Sequence, residues 1–436
     1  MYTDELPTRW TLTVLMLLAM LAVTSRHETQ AQDVDYRVYL IGDTGGADSK
    51  GSVQSLQLLK TYLQQEGENS AVVFLGDNVY CCGLPDSTST SRSKAEMRLE
   101  EALEAVEGFS GRSFFIPGNH DWGTAGQYSK ETLARQQKYV ESRLGEGSFL
   151  PSNGFPGPVE IKLTKDIRLV VVDTHWWLMD DKPFGDTGEY ELSEEGDFLL
   201  EMSDLLAKRD DEHLLVVGHH PLLSFGTHGG FFPVKEHVFP LTTVWDNAWI
   251  PLPVLGSVAA MVRRFAGGRQ DLSNPKYRSL QDALISMFSA HQGDLVYASG
   301  HEHSLQHIIE GDKNYLVSGS ATRPSFVSST KSAEFTSSES GFMILDYKAD
   351  GTVHLRVISE ADAELHAAQM YRATIQTPVT ETEPMDREAL LLSWGDDVTE
   401  AINPSREAGF VKSALMGSLH RAAWATPVTL PVFDVA

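Results

Sequence analysis

Five short apolar segments of this 436-residue chain are each followed by a glycine and then by a side chain that can bind a metal ion. The segments have the composition of buried β-strands, and the sequences that follow are GDTG (42–45), GDNVY (76–80), GNHD (118–121), GHHP (218–221) and GHEH (300–303). Sites in open α/β sheets lie outside the carboxyl ends of the strands, and glycine lets the backbone turn sharply there. Each motif alone is more often a turn or a helix cap. The five together predict one site.

Strand and helix patterns alternate along most of the chain. Predicted strands at 36–41, 71–75, 167–172, 213–217 and 295–299 are short, rich in β-branched residues and bounded by glycine or proline. A helix with leucines on one face is predicted over 52–65, and a hairpin on an Asp-Gly turn over 342–358. This alternation predicts an α/β fold.

The chain divides into segments of different composition. An apolar run of about 13 residues near the N-terminus is short for a membrane span, so we interpret residues 1–32 as a signal peptide or an N-terminal anchor. We expect the main domain over 33–358, with an aromatic-rich insertion at 231–285, and an extension of uncertain structure over 359–436. The protein is therefore expected to be exported, to the periplasm or the outside of the cell. Membrane contact through the N-terminal segment or the insertion stays open.

The net charge limits the classes of partner, and the cysteine content limits the possible zinc sites and disulfides. A formal net charge of −25 argues against nucleic acid, whose phosphates require basic surfaces. The only two cysteines, Cys81 and Cys82, are adjacent and lack the spacing of a zinc site. We predict that they are packed or free thiols, because a disulfide between neighbours is sterically demanding.

The residues after the five strands are too numerous for one tetrahedral ion. Two aspartates, one asparagine and three histidines suit two metal ions about 3.5–4 Å apart that share a carboxylate. The five motifs, in this order, resemble those of the calcineurin-like metallophosphoesterases over about residues 36–350. That resemblance implies a four-layer sandwich in which two mixed β-sheets are flanked by helices.

Tyr80 narrows the resemblance to the purple acid phosphatases of the small, tartrate-resistant type. A phenolate oxygen is a hard donor that suits Fe(III), and the GDxxY form is similar to theirs. The resemblance implies that Asp43, Tyr80 and His303 bind Fe(III), that Asn119, His219 and His301 bind a divalent ion (Fe, Zn or Mn), and that Asp77 bridges both. It also implies that His120 and His228 bind phosphate or protonate the leaving oxygen.

Two further residues, Asp121 and Gln306, are expected to orient the ligand imidazoles, because such rings usually donate their second N–H to a neighbouring acceptor. His175 is expected to be packed rather than to bind metal, and His220 is left out of the ligand set because the resemblance implies that the first histidine of GHHP is the ligand. The His228–His301 interval holds 72 intervening residues, more than the small family type leads us to expect. The longer interval concerns which substrate the protein accepts, and it does not change the reaction that the motifs imply.

The resemblance implies a dinuclear phosphomonoesterase that hydrolyses small phosphate esters by attack of a metal-bound hydroxide, with an acidic rate optimum. Two alternatives stay open at this point. One is a phosphodiesterase of the same superfamily that acts on nucleotides or phospholipids, and the other is a non-catalytic binding protein that retains the fold. The sequence leaves the physiological substrate, the divalent metal and the oligomeric state undetermined.

Overall fold

A computed structural model describes residues 34–46, 53–124, 127–180, 182, 185–186, 191–192, 195–207, 212–243, 245, 247–359 and 369–376. The predicted signal or anchor segment lies outside these residues, as does most of the predicted C-terminal extension. Among the helices of the described residues, none is both long enough and apolar enough to cross a membrane.

The first sheet has six strands in the order β17-β16-β15-β1-β2-β3. Their bounds are β1 Val34–Ile41, β2 Ser70–Phe74, β3 Arg112–Phe115, β15 Gly341–Lys348, β16 Val353–Ser359 and β17 Gln369–Gln376. β1, β2 and β3 run parallel, whereas β15 pairs antiparallel with β1 and begins an antiparallel meander through β16 and β17. The predicted hairpin at 342–358 is confirmed as β15 and β16. β17 lies beyond residue 359, so the sheet continues past the predicted domain edge.

The second sheet has seven strands in the order β14-β12-β13-β11-β10-β7-β6. Their bounds are β6 Val159–Lys162, β7 Ile167–Val171, β10 His213–Val217, β11 Leu295–Ser299, β12 Leu305–Glu310, β13 Lys313–Ser318 and β14 Phe335–Ser337. β7, β10, β11 and β13 are parallel neighbours, and the edge strands are antiparallel. Two small hairpins complete the strands: β4 Gly123–Thr124 with β5 Gln127–Tyr128, and β8 Gly185–Asp186 with β9 Glu191–Leu192.

Eight α-helices lie in the described part of the chain. They are α1 Gln54–Leu63, α2 Arg92–Ala105, α3 Lys130–Leu144, α4 Thr174–Leu178, α5 Glu195–Leu206, α6 Val234–Val238, α7 Pro253–Ala266 and α8 Pro275–Ala290. Side-chain caps define where two of these helices begin. The Ser129 side chain caps α3, and the Asn274 side chain caps α8 just before a proline at its first position.

Three apolar clusters show how the layers stack. The central cluster lies between the sheets and joins Val38 and Val73 of the first sheet to Leu169, Val217 and Val296 of the second. The outer face of the first sheet packs against α1, α2 and α3, and that of the second packs against α5 and α8. The predicted four-layer sandwich of two mixed β-sheets flanked by helices is therefore confirmed.

The insertion differs from the prediction in its extent. α8 begins at Pro275, and its buried Tyr277, Leu284 and Phe288 belong to the core of the second sheet. Residues from about 270 onward therefore belong with the sandwich, since Leu272 also packs against this core, and only the residues before them stand apart. They comprise α6, a 3-10 turn at Pro240–Thr243 and α7.

Candidate metal centre

One group of donor atoms forms around Asp43, which follows β1. The Tyr80 hydroxyl donates to Asp43 Oδ1 at 2.7 Å and lies 2.9 Å from His303 Nε2. His303 Nε2 is in turn 3.4 Å from Asp43 Oδ1. Three side chains from loops far apart in sequence thus bring one donor atom each to a common point.

A second group forms around Asn119, which follows β3. Its Oδ1 lies 3.1 Å from His219 Nε2 and 3.1 Å from His301 Nδ1. Asp77 completes this group, because its Oδ1 is 3.4 Å from His219 Nε2. Asp77, His219 and His301 are all buried, and each has a ligand atom within 4.8 Å of those of the other two.

Asp77 also belongs to the first group. After burial and the Asp43 carboxylate, the nearby Asp77 carboxylate also helps to raise the pKa of the Tyr80 phenol. The structure therefore brings all seven of the predicted ligands together, with Asp77 in contact with His219 and close to Tyr80. The side chains come from the loops after β1, β2, β3, β10 and β11, as the sequence predicts.

The backbone at these strand ends has an unusual conformation. Asp43, Asp77 and His301 have φ values of 60°, 53° and 65°, in the left-handed region that costs energy for residues other than glycine. Such strain is retained where the surrounding structure holds a side chain in a functional position. A Cβ at Gly118 would lie 2.3 Å from Asp77 Oδ1, and one at Gly300 would lie 2.6 Å from Asp43 Oδ2. These two glycines are required for the close approach of the loops.

Backbone carbonyls fix the orientation of two imidazoles. His219 Nδ1 donates to Leu75 O at 2.8 Å, and His301 Nε2 donates to Gln270 O at 3.0 Å. The opposite ring nitrogen of each histidine therefore faces the donor groups and can bind a metal ion once it carries no proton. This is the arrangement that metal-binding histidines commonly show.

The electrostatics of the site favour cations. Burial opposes charge on His219, yet the adjacent Asp77 carboxylate outweighs it and raises the imidazole pKa to about 9. Burial and the Asp43 carboxylate raise the pKa of Tyr80 well above its usual value. Two buried carboxylates thus hold protons on their neighbours, and a multivalent cation could replace those protons. Oxygen donors from Asp, Asn and Tyr with imidazole nitrogens fit a pair of iron, zinc or manganese ions.

His120 and His228 lie at the outer side of the donor groups and are partly exposed. The His120 backbone N–H donates to Asp77 Oδ1 at 2.9 Å, while its Nδ1 donates to Cys81 O at 2.8 Å. The His228 ring packs on His301 with centroids 4.4 Å apart. The structure brings both predicted phosphate-contacting histidines to the donor groups.

Asp121 and Gln306 are close to the site, but their contacts differ from those expected. Asp121 accepts hydrogen bonds from the backbone N–H groups of Asn78, Val79 and Gly118, so it joins the loops after β2 and β3. Gln306 accepts from Phe225 N at 2.8 Å. In the described contacts neither side chain touches a ligand imidazole. The expectation that they orient the imidazoles is wrong, because backbone carbonyls do this for His219 and His301.

Several residues near the site were missed by sequence reasoning. Asp271 Oδ1 accepts from His228 Nδ1 at 2.8 Å and from Arg263 at 2.9 Å. Burial would raise the pKa of Asp271, but the hydrogen bonds from His228 and Arg263 lower it to about 2. Gln270 contacts both His301 and His220. These residues follow α7 without a motif of their own, so only the fold reveals them.

The structure also shows the contacts of His175, His220 and the two cysteines. His220 Nδ1 lies 2.8 Å from Thr174 Oγ1, and His175 stacks on His220, so both are packed, as predicted for His175. The prediction for the cysteines is wrong: Cys81 and Cys82 are joined by a disulfide. The residues that follow Tyr80 therefore form a covalently closed turn beside the site.

The first comparison with known proteins identifies the class. Residues 36–244 match the family model described as calcineurin-like phosphoesterase. This part of the chain is therefore a calcineurin-like phosphoesterase domain, of a family that generally hydrolyses phosphoesters at a dinuclear metal centre. The superfamily that the five motifs indicate is confirmed. No curated protein sequence matches the chain.

Solved structures with a similar fold come from different organisms. GAP50 of Plasmodium, titled the anchor in the inner membrane complex, is 15% identical, with a TM-score of 0.49, and the match covers 87% of this chain and 98% of that one. The purple acid phosphatase PPD1 of yellow lupin (Lupinus luteus) is 14% identical with a TM-score of 0.43, covering 75% and 52%. A putative 5′-nucleotidase of Staphylococcus aureus is 11% identical with a TM-score of 0.36, covering 84% and 58%.

Proposed function

We propose that the protein is a phosphomonoesterase of the purple acid phosphatase type that uses Fe(III) and a second, divalent metal ion. The observation that carries this proposal is the meeting of seven side chains in two groups joined by Asp77. When bound, the metal pair would supply an activated water nucleophile and neutralise charge on phosphate.

The remaining roles, metal binding and contact with phosphate, are assigned to individual residues of the chain. We assign Asp43, Tyr80 and His303 to one ion, and Asn119, His219 and His301 to the other, with Asp77 shared. His120 lies with Nε2 3.9 Å from Asp77 Oδ2, so this nitrogen is positioned to contact a phosphate oxygen beside the centre. Catalysis of phosphoryl transfer depends mainly on such positioning and charge stabilisation.

His228 is assigned to the leaving group. Because its Nδ1 is held by Asp271, Nε2 is the ring nitrogen left to deliver a proton to the departing oxygen. A proton donor accelerates the departure of a poor leaving group more than that of a good one. The assignment therefore predicts that His228→Gln slows hydrolysis of an alkyl phosphate more than hydrolysis of p-nitrophenyl phosphate.

The defining experiment compares esters on metal-loaded protein. We expect p-nitrophenyl phosphate to be hydrolysed at least about tenfold faster than bis(p-nitrophenyl) phosphate, because the monoester presents more charge to the cations. Preference for the bis ester would favour a phosphodiesterase. Two bound metal ions without hydrolysis of either ester would favour a binding protein that retains the fold.

A visible spectrum tests the Tyr80 assignment. A phenolate bound to Fe(III) gives an absorption band in the visible range, so the iron-loaded protein should be coloured and the Tyr80→Phe variant should lack this band. A wild-type protein that is iron-free, colourless and active would remove the purple phosphatase assignment but leave the family unchanged.

A further inference from the structure

The insertion carries most of the exposed apolar surface of the described part of the molecule. Ten of the twelve large apolar side chains that are exposed among the described residues lie between Val234 and Phe265. Six of them belong to α7: Val254, Leu255, Val258, Met261, Val262 and Phe265. Contiguous exposed patches of this kind commonly mark an interaction site.

The spacing of the six exposed side chains along α7 shows that they lie on one face of the helix. The six side chains recur at intervals that place them on one stripe, about 120° wide at about 100° per residue. Val254 is 79% exposed and Phe265 is 63% exposed, whereas the small residues Gly256 and Ala260 are buried. A surface helix normally buries its apolar stripe against the protein. α7 does the reverse, so its stripe faces a partner outside this chain's core.

Small side chains on the inner face explain why α7 is held this way. A Cβ at Gly256 would lie 2.3 Å from His237 O, so the backbones of α6 and α7 are in close contact. On the polar edge of α7, Arg263 forms an ion pair with Asp271 at 2.9 Å. Turning the stripe inward would break both contacts.

The chemistry around the stripe indicates the kind of partner. Trp245 and Trp249 are 64% and 56% exposed, and Lys235 lies 4.8 Å above the Trp249 ring. Arg263 and Arg264 lie on the polar side of α7, one beyond each edge of the stripe, where Arg263 binds Asp271 and Arg264 lies over the Phe231 ring. Residues 231–269 hold four basic and two acidic residues in a chain of net charge −25. An apolar stripe with tryptophans and flanking cations is typical of a helix that lies in a lipid interface.

We propose that the surface formed by α7, Trp245, Trp249 and Ile250 binds the interface of an anionic lipid bilayer, with α7 parallel to the membrane plane. A second copy of the chain is the other possible occupant of this surface, and the test below includes it as an outcome. The proposal is independent of the proposed catalytic function, and its test requires no activity.

The test measures flotation of the full chain with vesicles of phosphatidylcholine alone or with phosphatidylglycerol. We expect Met261→Gln/Phe265→Gln to weaken binding at least about tenfold, since two apolar side chains no longer enter the interface. Met97→Gln/Ile309→Gln is the matched control, because these two exposed apolar residues lie far from the insertion in sequence and should bind like wild type. Arg264→Gln should weaken binding about fivefold on the anionic vesicles only.

A local readout separates this surface from the N-terminal apolar run. Because Trp10 directly precedes that run, the measurement uses Trp10→Phe as the reference protein. Brominated lipids should quench its tryptophan fluorescence, and adding Trp245→Phe/Trp249→Phe should remove that quenching. Equal binding of both double glutamine variants, or unchanged quenching, would overturn the proposal. So would a wild-type dimer that Met261→Gln/Phe265→Gln converts to monomer without vesicle binding.

Discussion

The strand-end site and the insertion depart from ordinary protein surfaces in opposite directions. The site buries Asp43, Asp77 and His219, which are side chains that normally face water, whereas α7 exposes Val254 and Phe265, which are normally buried. Burying charge and exposing apolar area both cost free energy. Binding of a suitable partner would offset each cost. Cations would neutralise the buried charges of the site, and a nonpolar phase would cover the exposed apolar side chains of α7.

The two regions also differ in how they are held. The site is fixed by loops that follow strands of both sheets, and by hydrogen bonds from Asp121 to three backbone N–H groups. The insertion is linked to the site through Arg263, Asp271 and His228. Substitutions in the site should therefore change activity, whereas those on the outer face of α7 should not.

The largest effect is expected at Asp77, which contacts both donor groups. Asp77→Asn removes a shared carboxylate oxygen, so we expect hydrolysis of p-nitrophenyl phosphate to fall about 10³-fold or more, on the scale of losing a main electrostatic element of a site. Asp86→Asn, at an exposed aspartate bonded to Thr88, is the control and should keep wild-type kinetics. Full activity in Asp77→Asn would contradict the shared-ligand assignment.

The next effect concerns the sheet that supports the site. Asp346 binds Arg37 of β1 and Arg356 of β16, with distances of 2.5 and 2.6 Å. Removing one partner of a largely buried network leaves charge uncompensated, so Asp346→Asn should lower the free energy of unfolding by about 3 kcal/mol at pH 7. Urea unfolding of the variant measures this loss, with the exposed Asp350→Asn as control.

The pH dependence of that loss has a definite sign. Burial would raise the pKa of Asp346, but the two arginines outweigh it and hold the pKa below the usual value of 3.8. A lowered carboxyl pKa contributes stability that is fully present above the unfolded-state value and is lost as the pH falls through the folded-state value. The difference between wild type and variant should therefore shrink below about pH 4. A constant difference down to pH 2 would argue against the ion-pair explanation.

A smaller effect is expected at Asp271, a positioning residue that supports His228. Asp271→Asn should reduce kcat about 10- to 100-fold, as for loss of proton-transfer assistance. The loss should be larger for an alkyl phosphate than for p-nitrophenyl phosphate. Because the pKa of Asp271 is about 2, the loss should persist from pH 4.5 to 8. Asp350→Asn, at an exposed aspartate bonded to Thr352, serves as the control.

A double variant tests whether the effect of Asp271 on kcat depends on His228. His228→Gln/Asp271→Asn should be no slower than His228→Gln alone, since residues that act as one unit are not additive. Additive losses would mean that Asp271 acts independently of His228.

The smallest effect is expected on the outer face of α7. Met261→Gln/Phe265→Gln alters side chains that are already exposed, so the free energy of unfolding should change by less than about 0.5 kcal/mol. Hydrolysis of p-nitrophenyl phosphate in solution should also match wild type. A loss of several kcal/mol would show that the stripe is buried in the protein and would remove the contrast between the two regions.

Sequence reasoning predicts the site better than the insertion for a physical reason. Strand, glycine and metal-capable residue form a local signal. The parallel strands bring Asp43 and Asn119 to the carboxyl edge of the first sheet, and His301 to that of the second. The left-handed conformation of Asp77 and the Asp271–His228 contact depend on loops that meet only in three dimensions. The outward stripe of α7 has the same 3.6-residue period as a buried one, so its direction cannot be read from spacing alone.

The central claim is that two cations share Asp77, and metal content measured together with activity tests it most directly. The account predicts about two metal ions per wild-type chain by mass spectrometry. Activity should be lost on chelation and recovered on reloading, and the Asp77→Asn variant should hold fewer ions. Undiminished phosphomonoester hydrolysis by a wild-type protein stripped of metal would contradict the account.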